Sequence, residues 1–381
     1  MKRDKVFKLA EMFCGPGGLS LGAISASVKD REGRVYRARP VWASDIDPDA
    51  CKTYARNIHS GEKERVICAP IQTIDLNSIP AFDALAFGFP CNDFSVVGEQ
   101  KGFRGKYGPL YSYGVKAIEL HNPKWFLAEN VNGLKSANSG TAFLRILADL
   151  GAAGKGYCLT VHLYKFEDYG VPQTRHRIVI VGIRKDLKLD FNVPAPTTAN
   201  KFVTAREAIE RPPIPPDAHN NERTAQSSAV IERLKHIPPG QNAWFKGLPE
   251  HLKLNVRMAT LSQIYKRLHP DRPAYAITGS GGGGTHGYHW KENRALTSRE
   301  KARLQTFPDD FVFEGGRESV RKQVGMAVPP RAAKKIVEAV LKTFAGIPYR
   351  SVPANIYDSG QLAFFRDQPI VSKSVLPIPF F

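Results

Sequence analysis

The sequence has few cysteines and lacks long apolar runs. Its cysteines are odd in number and include no Cys-x-x-Cys pair, which predicts neither a disulfide framework nor a zinc site; they stand at positions 14, 51, 68, 91 and 158. No stretch approaches the roughly 18 apolar residues that a membrane span needs. The N-terminus also lacks the apolar segment and cleavage site of a signal peptide. We therefore expect a metal-free protein of the reducing cytoplasm.

Acidic residues are scarce relative to basic ones. The chain has 54 Lys and Arg against 36 Asp and Glu, a formal net charge of +18. Such an excess occurs on solubilising surfaces, but it is also typical of proteins that bind a polyanion, most often nucleic acid. Charge alone does not distinguish DNA from RNA or from an anionic membrane surface.

The length of 381 residues allows two domains. Strand and helix patterns alternate in the first half, which predicts an α/β fold with a mostly parallel sheet and helices on its faces. The predicted strands are Val6–Phe13, Pro40–Ser44, Ala84–Phe87 and Trp125–Glu129, and the predicted helices are Leu19–Ser27, Asp49–Asn57, Ser112–His121 and Ala142–Leu150. Two β-rich runs, Tyr157–Phe166 and Ile178–Ile183, are expected to close the sheet as an antiparallel pair. After about residue 190 the sequence is proline-rich and aperiodic, until regular patterning resumes at Thr297–Gln305 and Arg331–Phe344 predicts a late helix.

A glycine-rich turn links the first predicted strand to the first predicted helix. The segment Phe13–Leu19 (FCGPGGL) lets the backbone turn tightly and lets a ligand approach the helix N-terminus, although its spacing is not Gly-x-Gly-x-x-Gly. The second strand ends at Asp45, which is placed to accept hydrogen bonds from ribose hydroxyls, and at Ile46, which could cover an adenine ring. A plain strand–helix turn, and a helix cap at Asp47, remain the alternatives.

A cysteine follows the strand Ala84–Phe87, in the sequence Phe89-Pro90-Cys91. The carboxyl end of a parallel strand is where such folds hold their active sites, and Pro90 stiffens the backbone before the thiol. Cys91 is thus a candidate nucleophile, with a buried structural cysteine as the alternative.

Polar residues end the next strand and begin the one after it. Glu129 and Asn130 follow an apolar stretch, so the Glu129 carboxyl is expected to be partly desolvated and able to hold a proton for acid catalysis. In Gln173–Arg177 (QTRHR), strand alternation puts Arg175 and Arg177 on one face, which suits a phosphate or a carbonyl oxygen. Solvated strand ends are the alternative for both segments.

Taken in order, these segments resemble the cytosine-C5 DNA methyltransferase family of bacterial restriction–modification type. The resemblance covers about residues 6–183 and 294–344, and the order Phe-Pro-Cys, Glu-Asn-Val and Gln-x-Arg-x-Arg is highly specific. It implies an S-adenosylmethionine-dependent, Rossmann-like domain with a smaller target-recognition domain. It also implies duplex DNA as partner, a restriction endonuclease that shares the target, a monomer, and a place with the nucleoid in the bacterial cytoplasm.

The resemblance implies a division of the chain as well. Residues 1–190 would form the catalytic and cofactor-binding domain and residues 191–293 the target-recognition domain. The remaining parts would be a hinge in 294–320, a C-terminal helix that returns to the catalytic domain in 321–345, and a tail in 346–381.

The family's reaction gives each catalytic residue a role by resemblance. Cys91 would attack C6 of a cytosine flipped out of the duplex, and C5 would then take the methyl group from S-adenosylmethionine. Glu129 would protonate N3, while Arg175 and Arg177 would position the base and stabilise charge on its O2 side. These residue types fit the chemistry, because cytosine is a poor electrophile that needs a soft nucleophile and protonation together.

Further site residues are implied in the same way. Asn130 would brace the Pro90–Cys91 backbone, and the carbonyl of Phe89 would recognise the exocyclic amine. The implied cofactor-binding residues are Phe13, Gly15, Gly17, Gly18, Leu19, Asp45, Ile46, Ile71, Leu110, Ala327 and Val328. The implied DNA-binding residues are Phe89, Ser95, Gln173, Thr278, Gly281, Gly282 and Gly283.

The sequence departs from the family pattern near the cofactor. Pro70 stands where the family has an aspartate that contacts the adenine amine, and Met326 stands where the Gly-Asn motif has asparagine. Because proline offers only its carbonyl, these departures predict weaker binding of S-adenosylmethionine. Cys91 is also followed by Asn92-Asp93 rather than the usual Gln-x.

Three other functions are left open by parts of the pattern. An RNA methyltransferase of the related tRNA-methylating branch would share the catalytic set, but it carries a Cys-Phe-Thr signature, and residues 191–293 contain no cysteine. A methyltransferase-like module that binds DNA without catalysis is kept open by Pro70 and Met326. A nicotinamide-dependent oxidoreductase would explain only the first glycine turn.

The net charge generates a prediction about DNA affinity. Binding that rests on Lys and Arg contacts to phosphates releases counterions, so affinity for duplex DNA should fall steeply as salt increases. Titration of a labelled duplex at several salt concentrations measures this slope. A flat dependence between low and physiological salt would contradict the prediction.

Overall fold

A mixed sheet forms the centre of the protein in the computed structural model, which describes residues 4–89, 110–131, 133, 141–254, 263–279 and 287–357. The strands are β1 (Lys5–Met12), β2 (Ser27–Lys29), β3 (Val35–Asp45), β4 (Val66–Cys68), β5 (Ala84–Phe87), β6 (Trp125–Val131), β7 (Tyr157–Lys165), β8 (Gln173–Thr174), β9 (His176–Arg184), β10 (Val193–Pro194), β11 (Ala274–Tyr275) and β12 (Ser351–Val352). The helices are α1 (Gly18–Ile24), α2 (Pro48–Ile58), α3 (Tyr111–His121), α4 (Thr141–Ala152), α5 (Ala205–Glu210), α6 (Ser228–Lys235), α7 (Ser298–Leu304), α8 (Arg317–Met326) and α9 (Pro330–Ala345).

The central sheet has the order β2-β3-β1-β5-β6-β9-β7, with β4 beside β3. The strands β3, β1, β5 and β6 run parallel, whereas β9 is antiparallel to both β6 and β7. This arrangement confirms the predicted α/β fold and the antiparallel pair that closes it. As a result, the carboxyl ends of β1, β3, β5 and β6 lie along one edge of the sheet.

Both faces of the sheet are covered, because successive side chains of each buried strand point to opposite faces. In β5, Leu85 and Phe87 enter the apolar cluster under α3 and α4, whereas Ala84 and Ala86 enter the cluster under α1 and α9. The short apolar runs of the sequence therefore form strands buried on both sides. Tight packing of α1 on α9 fixes the glycine turn that precedes α1.

The predicted strands and helices of the first half are all present, with bounds that differ by a few residues; β3 extends furthest beyond its prediction, starting at Val35. The segment expected to be one C-terminal helix in 321–345 differs. It is divided between α8 and α9 by Ala327–Pro329, and Pro330 opens α9. Prolines suit the start of a helix but not its interior, which accounts for the break.

The region expected to form the recognition domain packs on the segments that follow it. One apolar cluster joins Ala205, Ile209 and Leu268 to Leu304 and Val324. The short strand β10 pairs with β12, and β11 pairs with β8. Two strand pairings therefore connect the described part of 191–293 to other parts of the chain. Within the described ranges, no helix is both long and apolar enough to cross a membrane.

Because α1 packs closely on α9, a single methyl group added at Gly22 is expected to destabilise the protein. A Cβ added at Gly22 would lie 2.4 Å from the Pro330 carbonyl oxygen and 2.5 Å from the Ala333 Cβ. Gly22→Ala should therefore lower the thermal unfolding temperature, at a cost of about 1–3 kcal/mol from overpacking. The matched control is Gly316→Ala, where no atom lies within 4 Å of the added Cβ and only a helix-cap preference changes. Unchanged melting of Gly22→Ala would show that the two helices are not in this contact.

Candidate active site

The edge of the sheet brings together four segments that are distant in the sequence. The carboxylate of Asp45, at the end of β3, accepts a hydrogen bond of 2.7 Å from the Gly15 backbone N–H. The Asn130 amide, near the end of β6, donates a hydrogen bond of 3.2 Å to the Phe89 carbonyl. Several sequence-predicted residues lie outside the described ranges: Pro90, Cys91, Ser95, Gly281, Gly282 and Gly283.

The Asp45 end of this edge has the properties of a pocket for a polar ligand with an apolar ring. Burial raises the pKa of Asp45, and the hydrogen bonds from the backbone N–H groups of Asp47 and Gly15 oppose that rise. Gly15 has a left-handed φ of 52°, and no atom lies within 4 Å of the position where its Cβ would be. Ile46 is 66% exposed, which is unusual for such a side chain. Open backbone, a desolvated carboxylate and an uncovered apolar side chain fit a nucleoside-containing ligand.

The other residues of the glycine turn pack against the protein itself. A Cβ at Gly17 would lie 2.8 Å from the Tyr54 ring, and a Cβ at Gly18 would lie 2.2 Å from the Val328 carbonyl oxygen. Leu19, another predicted cofactor residue, has its side chain buried in the apolar cluster under α9. Close packing explains why glycines stand at positions 17 and 18, whereas open space surrounds Gly15.

Three other predicted cofactor residues belong to, or pack against, one apolar cluster. The side chains of Ile71 and Leu110 are buried in the cluster that also contains Phe89, and Phe13 packs on its border. The carbonyl of Pro70 accepts hydrogen bonds from both the backbone N–H and the hydroxyl of Thr73, at 2.9 and 2.8 Å. The one polar group that proline could offer is therefore already engaged. Met326, the other departure from the family pattern, is 65% exposed.

An ion pair occupies the end of β6. Glu129 Oε1 and Arg177 Nε are 3.0 Å apart, and both side chains are largely buried. The antiparallel register of β6 and β9, in which Val131 is paired with Arg177, brings these two side chains side by side. The second oxygen of Glu129 lies toward Gly88, 3.4 Å from the position of a Cβ there. Gly88 thus leaves room beside a carboxyl oxygen, three residues before Cys91.

The other predicted arginine has a different environment. Arg175 is only 3% exposed. Its terminal nitrogens donate hydrogen bonds to the carbonyls of Ile277, Gly325 and Ala327 at 2.9, 3.0 and 3.1 Å. Burial, together with the nearby charge of Arg177, lowers the pKa of Arg175. The resemblance implied that this guanidinium faces the base, whereas in the structure it donates to backbone carbonyls.

Gln173, expected to bind DNA, is also buried, with no exposed surface. Its side chain donates to the Leu304 carbonyl and to the Gln305 side chain, and it accepts from the Ile277 backbone N–H. Thr278, by contrast, is exposed. Among the basic residues of the recognition region, Arg267 is buried and donates to the carbonyls of Leu234, Ile237 and His289.

One buried acidic group was missed by the sequence analysis. Glu11 in β1 is 3% exposed and accepts hydrogen bonds from the hydroxyls of Ser20 and Tyr54. Burial raises its pKa to about 8. The signal in the sequence is a single charged residue inside the apolar strand KVFKLAEM, where the alternation predicts an inward side chain. The network holds α1 and α2 to the strand directly below the glycine turn.

Comparison with known proteins gives consistent matches over most of the chain. Residues 7–342 match the family described as C-5 cytosine-specific DNA methylase. The type II methyltransferase M.BbvI of Brevibacillus brevis is 58% identical over 352 residues, which cover 91% of this chain and 94% of that protein. The type II methyltransferase M.NgoFVII of Neisseria gonorrhoeae is 38% identical, with 89% of this chain and 87% of that protein covered.

Solved structures show the same fold at lower identity. A DNA modification methyltransferase encoded within an E. coli prophage superposes with a TM-score of 0.67 at 22% identity, over 89% of this chain and 99% of that chain. The S. pombe Dnmt2 methyltransferase superposes with a TM-score of 0.58 at 14% identity, over 88% of this chain and 98% of that chain.

The buried Glu11 predicts a pH dependence of stability. Its pKa is about 8 in the folded protein against an ordinary value of 4.5, so between these values the folded state keeps a proton that the unfolded chain releases. Stability should therefore decline as the pH rises from about 4.5 through 8. Glu11→Gln keeps an acceptor and cannot ionise, so it should match the parent near pH 5 and exceed it above pH 8, by at least about 1 kcal/mol.

Thermal unfolding of the parent and Glu11→Gln across this pH range provides the measurement. The exposed Glu250, whose side chain is 87% exposed, offers the control Glu250→Gln, which should follow the parent at every pH. Parallel curves for Glu11→Gln and the parent would exclude this role for Glu11.

Proposed function

The chain belongs to the C-5 cytosine-specific DNA methylase family, and from this premise we propose how its residues share the reaction. The protein is an enzyme that methylates carbon 5 of cytosine in DNA with S-adenosylmethionine as methyl donor. An RNA substrate and binding without catalysis are the less favoured alternatives. The assignment of roles to single side chains rests on the contacts at the ends of β5 and β6.

Cys91 is the nucleophile in this proposal. Phe89, two residues before it, is buried, and its carbonyl is held by the Asn130 amide at 3.2 Å. Asn130 itself is only 3% exposed, so this bond forms in a protected environment where it is stronger than in water. Asn130 therefore steadies the backbone that leads through Pro90 to the thiol. The thiolate of Cys91 adds to C6 of a cytosine turned out of the duplex.

Glu129 and Arg177 activate the base for that attack. The pair at 3.0 Å is the observation that carries the proposal, because it sets a carboxyl and a guanidinium beside Gly88 and the approach to Cys91. Glu129, after it takes up a proton from solvent, donates that proton to N3 of the cytosine, which draws electrons from the C5–C6 double bond as the sulfur–C6 bond forms. Arg177 stabilises negative charge on the O2 side of the ring.

Completion of the reaction restores the aromatic ring. The electron pair that the attack places on C5 would form the new bond to the methyl group, while the bond from that group to the sulfonium sulfur breaks and leaves a neutral thioether. Transfer of the C5 proton to solvent water then returns electrons to the C5–C6 bond and expels the Cys91 thiolate. The pair Glu129 and Arg177 recovers its starting protonation when N3 gives back its proton.

The Asp45 edge is where the cofactor is held. Asp45 would accept hydrogen bonds from ribose hydroxyls, Ile46 would cover the adenine ring, and Gly15 and Phe13 would hold the methionine part. S-adenosylmethionine supplies, when bound, a methyl group on a sulfonium, which is a strong electrophile. With the carbonyl of Pro70 already engaged by Thr73, adenine has lost one partner, and this supports the expectation of weaker cofactor binding.

DNA lies, in this proposal, between the catalytic domain of residues 1–190 and the recognition domain of 191–293. Thr278 and the glycines that follow it approach the phosphate backbone. Because M.BbvI and M.NgoFVII are named type II methyltransferases, we infer that a restriction endonuclease shares the target sequence. A monomer acting on the nucleoid in the bacterial cytoplasm completes the proposal.

Trapping of the covalent intermediate tests the roles of Cys91 and Glu129. A duplex that carries 5-fluorocytosine at the target cannot lose a proton from C5, so a stable protein–DNA adduct should accumulate with S-adenosylmethionine present. The target is first located by bisulfite sequencing of plasmid DNA from cells that express the protein. Denaturing electrophoresis and mass spectrometry of the peptide that contains Cys91 then measure the adduct.

Two variants sharpen the result. Cys91→Ser should give no adduct, and Glu129→Gln should slow adduct formation by about 10²-fold or more, because N3 is no longer protonated. Methylation of ordinary target DNA without any adduct on the fluorinated duplex would refute the mechanism.

A further inference from the structure

Three buried polar side chains meet behind the catalytic pair and form what we call the buried triad: Gln173, Arg175 and Gln305. They are 0%, 3% and 0% exposed. Gln173 and Arg175 belong to the β8–β9 segment, whereas Gln305 follows α7. Most of their hydrogen bonds go to the backbone of two further segments, so the triad joins parts of the chain that are more than a hundred residues apart.

One of these segments is the end of α8, residues 324–328, here called the cofactor edge. Arg175 Nη2 donates to the carbonyls of Gly325 and Ala327, at 3.0 and 3.1 Å. Gln305 Nε2 donates to the carbonyls of Val324 and Ala327, at 2.6 and 3.2 Å. The last carbonyls of a helix have no partner within the helix, and here side chains of the triad supply the donors.

The other segment is Ile277–Gly279, here called the recognition-loop root because it leads into the implied DNA-binding residues Gly281, Gly282 and Gly283. Its Ile277 carbonyl accepts from Arg175 Nη1 at 2.9 Å, and its Ile277 N–H donates to the Gln173 amide oxygen at 2.8 Å. Gln173 also donates to the Gln305 side chain at 2.9 Å. Both polar groups of Ile277 are thus bonded to the same triad that holds the cofactor edge.

Glycines let the backbones touch directly at both borders of the cofactor edge. A Cβ at Gly325 would lie 2.1 Å from the Gly279 backbone nitrogen, and a Cβ at Gly18 would lie 2.2 Å from the Val328 carbonyl oxygen. The cofactor edge therefore lies in close contact with the recognition-loop root on one side and with the glycine turn on the other. Because these backbones are close-packed, a displacement of the recognition-loop root should shift the cofactor edge and, through it, the glycine turn.

Loss of the hydrogen bonds of the triad is expected to cost much free energy. The backbone N–H of Arg175 donates to the Glu167 carboxylate at 3.2 Å, but the hydrogen bonds of its guanidinium in the described part of the chain go to three carbonyl groups, whose dipoles meet the buried charge. Removal of the guanidinium would take the donor from the Ile277 and Gly325 carbonyls and leave the Ala327 carbonyl with Gln305 alone, in a protected environment where an unmade hydrogen bond costs more than on the surface. The backbone of the cofactor edge would then relax away from the glycine turn.

We propose that Gln305, together with Gln173 and Arg175, is a positioning residue for cofactor binding, which holds the cofactor edge against Gly18 of the glycine turn. Arg175 on this account acts through the backbone of residues 325–327 and does not contact the base, in contrast to Arg177. The proposal rests on the function proposed above, in that the Asp45 edge is taken as the site of S-adenosylmethionine.

Calorimetric titration with S-adenosylmethionine tests the proposal without any need for turnover. Gln305→Met and Arg175→Met keep similar volume but remove the donors, so each should weaken binding by about tenfold or more. Arg175→Lys keeps the charge and part of the hydrogen bonding and should retain more affinity than Arg175→Met. In steady-state kinetics of Gln305→Met, KM for S-adenosylmethionine should rise with Kd, while kcat falls by less than about threefold.

The chain offers a matched control for the loss of a buried arginine. Arg299 has no exposed surface and donates to the carbonyls of His219, Pro308 and Phe311, at 2.9, 3.0 and 2.7 Å. Arg299→Met should lower the thermal unfolding temperature as Arg175→Met does, yet leave Kd for S-adenosylmethionine within about twofold of the parent. If Arg175→Met does not fold, Gln305→Met and Arg175→Lys carry the comparison.

Two outcomes would overturn the proposal. One is an unchanged Kd in both triad variants; the other is an equal loss of affinity in Arg299→Met, which would reduce the triad to general stability. Failure of the proposed function is detected separately, since Cys91→Ser should bind S-adenosylmethionine like the parent while it transfers no methyl group. The parent titration also tests the expected weak binding, which a submicromolar Kd would contradict.

Discussion

Parallel pairing of β5 with β6 is the constraint on which the site depends. In the register of this pairing, Ala84 lies beside Trp125 and Phe87 lies beside Ala128. The residues that follow, Gly88 and Glu129, therefore lie side by side at the end of the two strands. The proposed chemistry needs a thiol above C6 and a carboxyl at the N3 edge of the same ring. A shift of register by one residue would turn each side chain to the opposite face of the sheet and separate them. Burial on both faces of the sheet prevents that shift, because the apolar clusters above and below accept only one set of side chains.

Backbone contacts fix the second half of the site. The glycine turn is set by Tyr54 behind Gly17 and by the Val328 carbonyl behind Gly18, and the Asp45 carboxylate holds it from the front through the Gly15 N–H. Only at Gly15 is the space beside the backbone open. The turn therefore owes most of its shape to packing within the protein, and a ligand would use a surface that the packing has already prepared. Such preorganisation reduces the entropy lost on binding.

Much of this arrangement could be predicted from the sequence, because the information is local. Apolar runs of four to eight residues between glycine and proline signals gave the strands, and the polar residues at their ends gave Asp45, Glu129 and Asn130. The different environments of Arg175 and Arg177 could not be predicted from the sequence. Alternation puts both on one face, and what separates them is the carbonyl groups of residues 277, 325 and 327, supplied by segments a hundred or more residues away. The engagement of the Pro70 carbonyl by Thr73 was likewise invisible, since it depends on the turn that follows.

The recognition region resisted prediction for a related reason. Its described part contains short helices and two-residue strands, so it offers little periodicity to detect. Buried arginines replace regular strand pairing there. Arg267 donates to the carbonyls of Leu234, Ile237 and His289 within the region, and Arg299, from the segment that follows it, donates to the His219 carbonyl as well as to those of Pro308 and Phe311. A guanidinium presents five donors in a plane and can satisfy several irregular carbonyls at once, which a lysine cannot. The net charge of +18 therefore has two origins. Some of the basic side chains lie at the surface and are available to a polyanion. Others are buried and donate hydrogen bonds to backbone carbonyls that have no partner in a sheet or helix.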